Sequence, residues 1–194
     1  MADSTITDLP VASAIGSAEL IHIVQGGISK KVSIAKMTGS RAFFAVTCDD
    51  TVSSYEFAIP DGCDVANISA VDLGFSSATL VGIQLSSDGG STWVNGTYDY
   101  RVVKHNDAVN AAFGDDYMPA YLDPQSGGTC FKGRVESLQV AMPTAFDFGD
   151  LHNSNPYVLL GYTKGAIGPH NAIRIFTTNG NNFVSGDLFV NIKP

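Results

Sequence analysis

Thr79-Leu-Val-Gly-Ile-Gln-Leu-Ser86 sets Leu80, Gly82 and Gln84 against Val81, Ile83 and Leu85. That period of two is the signature of a strand with one face in a core and one outside. Ser87-Asp-Gly-Gly follows at once, a cluster that turns the chain. Outward from this point the same rhythm repeats. Short apolar stretches alternate with Gly, Asn, Asp and Ser clusters, and they predict strands over 42–47, 54–59, 67–74, 79–86, 97–104, 131–141, 157–162, 172–177 and 183–192. In 135–140 the spacing of Val135, Leu138 and Val140 is less regular and suggests a bulge. The fold class expected is all-β: an antiparallel β-sandwich or jelly roll.

One short helix is expected over Asp107–Phe113, which holds three alanines. His105–Gly128 is the longest stretch without a clear strand, and long loops are often binding elements. Asp115, Asp116, Tyr117 and Tyr121 lie in it. Rings beside carboxylates suit a sugar, offering a face for C–H groups and acceptors for hydroxyls. These four are the candidate ligand-binding residues. Asp147-Phe-Gly-Asp150, Asp49-Asp50 and Asp61-Gly-Cys-Asp64 read as turns, and Asn179-Gly-Asn-Asn182 as a hairpin connection.

Ser86, Asp88, Gly90, Thr92 and Trp93 fit the Asp-box pattern S-x-D-x-G-x-T-W. Asp88 is placed to accept backbone N–H groups across the turn, and Trp93 to pack beneath it. The box occurs once, and 194 residues are too few for a six-bladed propeller. It is read as a structural hairpin.

Composition narrows the class. Charged residues make up 15% of the chain, well under the globular norm of about 25%. Buried interfaces between copies account for so weakly charged a surface. A net charge of −8 with no basic stripe disfavours nucleic acid and anionic membranes. No apolar run is long enough for a membrane span, and no leader is expected around Asp3. Cys48, Cys63 and Cys130 lack metal-ligand spacing and read as free buried thiols of a protein assembled in a reducing cytoplasm. No metal, cofactor or catalytic residue is expected: the four histidines lie in no nucleophile motif.

The first 38 residues form a separate segment, joined through Thr38-Gly-Ser-Arg41 to a domain over 40–194. Glu19–Ile34 reads as two strands closed by Gly26-Gly27. An isolated hairpin is marginal in water, so something must cover it. Thr7-Asp-Leu-Pro, Glu19-Leu-Ile, Val24-Gln-Gly-Gly and Lys30-Lys-Val-Ser-Ile34 together resemble the N-terminus of bacteriophage fibre and appendage proteins. Ile83–Trp93, Tyr98-Asp-Tyr-Arg101 and Ser185–Ile192 are similar to phage appendage jelly rolls. The resemblance implies a virion structural protein, a tail or head fibre or spike subunit. Leu20, Ile21, Ile23, Val24, Gly26, Gly27, Val32 and Ile34 would then attach it to other virion proteins. It implies a homotrimer on the particle surface, assembled in the host cytoplasm, that binds a host-surface glycan. A capsid decoration or connector is the alternative, and a small polysaccharide-degrading enzyme a further one.

Overall fold

The computed structural model describes residues 20–25, 28–33, 41–104, 109–125, 128–150, 157–165 and 168–194. The chain divides into two units, Met1–Gly39 and Ser40–Pro194. In the first, strand β1 (Leu20–Gln25) pairs antiparallel with β2 (Ile28–Ser33), with Ile21 opposite Val32 and Gln25 opposite Ile28. Gly26, Gly27 and Ile34 lie outside the described residues.

The second unit is all-β, with no helix among its described residues. Its strands are β3 (Ala42–Thr47), β4 (Ser54–Ala58), β5 (Val65–Phe75), β6 (Thr79–Ser86), β7 (Tyr98–Lys104), β8 (Val109–Asp115), β9 (Met118–Gln125), β10 (Thr129–Glu136), β11 (Ala145–Asp150), β12 (Tyr157–Thr163), β13 (Ala172–Thr177) and β14 (Phe183–Lys193). They form an eight-stranded sheet, ordered β3-β14-β5-β10-β11-β12-β7-β8, and a four-stranded sheet, ordered β4-β13-β6-β9. All pairings are antiparallel.

With the hairpins β7–β8 and β11–β12 set aside, eight strands remain. Counted along the chain, they lie as 1-8-3-6 in one sheet and 2-7-4-5 in the other. That order is the jelly roll. The two hairpins are insertions, between β6 and β9 and between β10 and β13. They pair with each other through β12 and β7 and double the width of one sheet.

The inner faces supply the core. Ile83, Leu85, Ile173 and Ile175 of the small sheet face Ile68, Leu73, Phe131, Phe148, Leu188 and Val190 of the large one. Gly133 stands directly across from Phe148, and a Cβ there would collide with the Phe148 ring. The ring fills the space that the missing side chain leaves, and it packs edge-on to Phe131 at 6.3 Å.

Several sequence expectations are corrected. The stretch read as a helix over 107–113 is strand β8 from Val109 onward. Pairing with β7 outweighs the modest helix propensity of its alanines. The long loop over 105–128 holds β8 and β9. Strand β9 escapes a sequence reading because it carries Pro119 and Pro124, which an edge position tolerates. The strand read over 131–141 spans Thr129–Glu136, ending at Ser137 with φ at 64°. Asp147–Asp150 is not a turn but part of β11, with Phe146 and Phe148 inward and Asp147 outward. The turns at Ser86–Trp93 and Asn179–Asn182 close no hairpins: each carries the chain from one sheet to the other.

Candidate functional site

The outer face of the small sheet gathers most of the residues that sequence reading singled out. Alternation along β6 sends Val81, Ile83 and Leu85 into the core and leaves Gln84 on the other side. Along β13 it buries Ile173 and Ile175 and leaves Arg174 and Phe176 outward. The register then sets Glu56, Arg174 and Gln84 in one row across three strands. Phe176 and Gly82 stand opposite each other in the next.

The Asp-box loop folds over this row. Ser86 Oγ donates to Asp88 Oδ1 at 2.7 Å and accepts the Gly90 N–H at 2.9 Å. The Thr92 N–H reaches Asp88 Oδ1 at 2.8 Å, and its hydroxyl reaches Oδ2 at 2.6 Å. The Thr92 hydroxyl, the Thr92 N–H and the Ser86 hydroxyl together hold the Asp88 carboxyl down at about 2. The Gly89 N–H donates to Asn171 Oδ1 at 2.7 Å, tying the loop to the segment ahead of β13. At its far end the Val94 N–H returns to the Leu85 carbonyl, and the Leu85 N–H donates to the buried Tyr98 hydroxyl. Held at both ends, the loop lays Trp93 over the Arg174 guanidinium at 4.7 Å. Phe176 lies 4.8 Å from the same guanidinium. Two ring contacts of this kind position a cation firmly. The half-buried Trp93 thus packs on the sheet's outer side rather than in the core.

Gln84 joins the pieces. Its Nε2 donates to Asn95 Oδ1 at 2.8 Å and to the Asp116 carbonyl at 2.6 Å. Its Oε1 accepts from Arg174 Nε at 2.9 Å and also from Nη2. One nearly buried amide therefore binds the box loop, the passage between β8 and β9, and β13. Tyr117 follows Asp116 and meets Phe176 edge-on, with centroids 5.7 Å apart. The pair depends on Gly82, where a Cβ would stand 2.7 Å from the Tyr117 ring and 2.9 Å from Phe176. Burial lowers the Arg174 pKa, and the nearby Glu56 charge opposes that shift. Replacing Gln84 by Ala is expected to destabilise the domain by about 1–3 kcal/mol, because partners on three elements lose their acceptor or donor. Urea denaturation of the two proteins checks this.

Of the four candidate ligand residues, Asp115, Asp116 and Tyr117 stand together at the passage from β8 to β9, and Tyr121 lies further along β9. Asp115, at the end of β8, bonds the Tyr100 hydroxyl; burial first, and then the Asp115 charge, push that phenol up to about 12. Asp116 is exposed and Tyr117 half-buried, both beside the Trp93 cluster. Tyr121 stands in β9 opposite Val81, and its side chain lies outside what is described. Gln84, Arg174, Phe176, Glu56 and Asn95 are site residues that sequence reading missed. The available signal is Arg174 between two isoleucines, a charge held on the open side of a strand. Among the described residues no group of three or more His, Cys, Asp or Glu is placed to hold a metal ion.

No family model matches the chain, and no curated protein matches it. Among solved structures it is similar to the infectious bursal disease virus VP2 subviral particle. The identity is 10%, the TM-score 0.18, and the alignment covers 95% of this chain and 45% of that one. The chain thus spans less than half the length of that protein. A likeness at this level carries no argument, and the architecture rests on the strand order alone.

Proposed function

We propose that the protein is a virion structural subunit, a fibre or spike component that binds a host-surface glycan and catalyses no reaction. The observation that carries this reading is the convergence of Trp93, Tyr117 and Phe176 with Arg174, Asn95 and Asp116 on the outer face of the small sheet. Ring faces suit the C–H side of a sugar. The exposed Asn95, Asp116 and Glu56 offer acceptors to its hydroxyls. The jelly roll suits the reading, a fold that serves capsid and lectin domains among others. Residues 1–38 attach the subunit to other virion proteins, as their resemblance to fibre N-termini suggests. Three copies on one fibre turn weak sugar contacts into firm attachment through avidity.

The test is retention of the full-length protein on immobilised bacterial surface polysaccharides. Trp93→Ala and Asp116→Ala are each expected to lower retention about tenfold or more. Asp116→Ala is the cleaner probe, because its backbone carbonyl, not its side chain, accepts from Gln84. Equal retention of both variants, or none by the parent protein, overturns the reading. A purely structural decoration protein is the second reading. It is favoured by the apolar outer face of the large sheet, where Leu160 is 50% and Tyr162 49% exposed.

A further inference from the structure

The outer face of the large sheet carries a groove of about 710 Å³ that the Trp93 cluster, on the other outer face of the sandwich, does not use. It runs from Phe43 of β3 to Val158 of β12, across six neighbouring strands, a span of about 24 Å at the usual strand spacing. A second hollow of about 330 Å³ shares Arg134 and Asp147 with it and continues toward Glu136 and Ala145. So long a cleft suits a chain rather than a single small molecule.

The groove carries no net charge. Arg134 Nε donates to Glu136 Oε1 at 2.6 Å, and Lys132 stands diagonally from Asp147 across the β10–β11 pair, so each cation is matched by an acid. Its middle is polar. Asn191 of β14 and Asn67 of β5 stand directly opposite each other, with Ser69 two residues further along β5. Among the described residues the side chains of these three make no hydrogen bond. At one end Phe43 and Phe189 stack, with centroids 6.4 Å apart, and Phe43 is open to water. Unpaired amides and a hydroxyl thus lie beside an exposed pair of rings, and a single ligand has to suit both.

We propose that this groove is a second glycan site, one that takes an uncharged polysaccharide chain laid across the strands. Three observations select that class. Asn67, Asn191 and Ser69 can each donate and accept, which matches the neighbouring hydroxyls of a sugar ring. The Phe43–Phe189 stack offers an apolar surface to its C–H side. Balanced charge favours neither a uronate or phosphate polymer nor a cationic one. A peptide fits less well. Extended peptides add at a sheet edge, where backbone groups are free, whereas β14, β5, β10 and β11 are inner strands with a partner on each side. The inference goes beyond the reading above. It uses the other sheet and none of the same residues, so either site stands without the other. With both occupied, one copy holds two chains, and avidity begins within the subunit.

The test is affinity electrophoresis of the full-length protein in native gels holding dextran, mannan or galactan, with polygalacturonate as the charged comparator. An uncharged polymer is expected to retard the parent protein, and polygalacturonate is not. Phe43→Ala and Asn191→Ala are each expected to raise the polymer concentration for half-retardation about tenfold. Both positions are exposed, so the urea midpoints of the variants stay near that of the parent. Retardation that both variants keep overturns the groove site; if Trp93→Ala abolishes it instead, the small-sheet reading stands. Stronger retardation by polygalacturonate overturns the ligand class. A lower solution mass for Phe43→Ala with unchanged retardation assigns the face to contact between copies, and overturns the proposal too. No retardation by any uncharged polymer overturns the groove site and leaves the Trp93 reading to its own test.

Discussion

Phe148→Ala is expected to cost the sandwich about 3–5 kcal/mol, the range for truncating a large buried aromatic. Phe148 is fully buried, packs against Phe131 and covers Gly133 across the β10–β11 pair. Three consequences add together. The core loses the ring's transfer energy, a cavity opens between the sheets, and Gly133 is left with no side chain over it. Gly133 has no side chain of its own with which to collapse into the gap. With a urea slope of about 2 kcal/mol/M, the midpoint falls by roughly 2 M. Phe43→Ala is the comparison, since Phe43 is 66% exposed and its loss should move stability by about 0.5 kcal/mol or less. A shift under about 1 kcal/mol for Phe148→Ala would show that β11 does not close this end of the core.

Acid is expected to weaken the domain through His170. The ring is fully buried, and neither nitrogen has a hydrogen-bond partner among the described residues. Burial disfavours the charged form and lowers its pKa from 6.5 to about 4. Above pH 6.5 the ring is neutral in both states, and its contribution to stability is whole. Between pH 6.5 and 4 the unfolded chain takes up a proton that the folded one refuses. Stability therefore falls by about 1.4 kcal/mol per pH unit, toward a loss of about 3 kcal/mol near pH 4. Asp88 acts in a lower window, since its depressed folded pKa keeps its contribution intact above the ordinary carboxylate range and loses it toward about 2. Urea melts at pH 7, 5.5 and 4.5 on the parent protein and on His170→Met separate the ring from every other titration. Parallel pH profiles would overturn the assignment. The same residue clamps Leu138 and Gln139, so acid should also loosen the Val140–Pro143 loop.

Local periodicity made much of the fold legible. Strands β6 and β13 run over the residues expected, because each alternates Ile, Val or Leu with outward residues and is bounded by turn chemistry. Strand β11 was hidden because Asp147, Gly149 and Asp150 mimic a turn, while Phe146 and Phe148 are its inward residues among those described. Strand β9 was hidden by two prolines that its edge position tolerates. Whether a turn closes a hairpin or arches between sheets is not a local property. The Asp-box and the Asn179–Asn182 turn have hairpin sequences, yet both are arches because the strands they join find partners elsewhere.

The candidate site divides along the same line. Asp88 with Ser86 and Thr92 was readable, since those contacts span two to four residues. Gln84 and Arg174 were not, being 90 residues apart in the chain. The antiparallel β-structure and the course of most strands are thus legible from local residues, because both follow from the pleat's period of two and from turn residues. The jelly-roll order, the doubled sheet with its apolar outer face, and the meeting of Trp93, Arg174 and Tyr117 emerge from the folded chain as a whole. Those depend on pairing between distant strands, where hydrogen bonds and buried area are settled by the whole assembly rather than by any one segment.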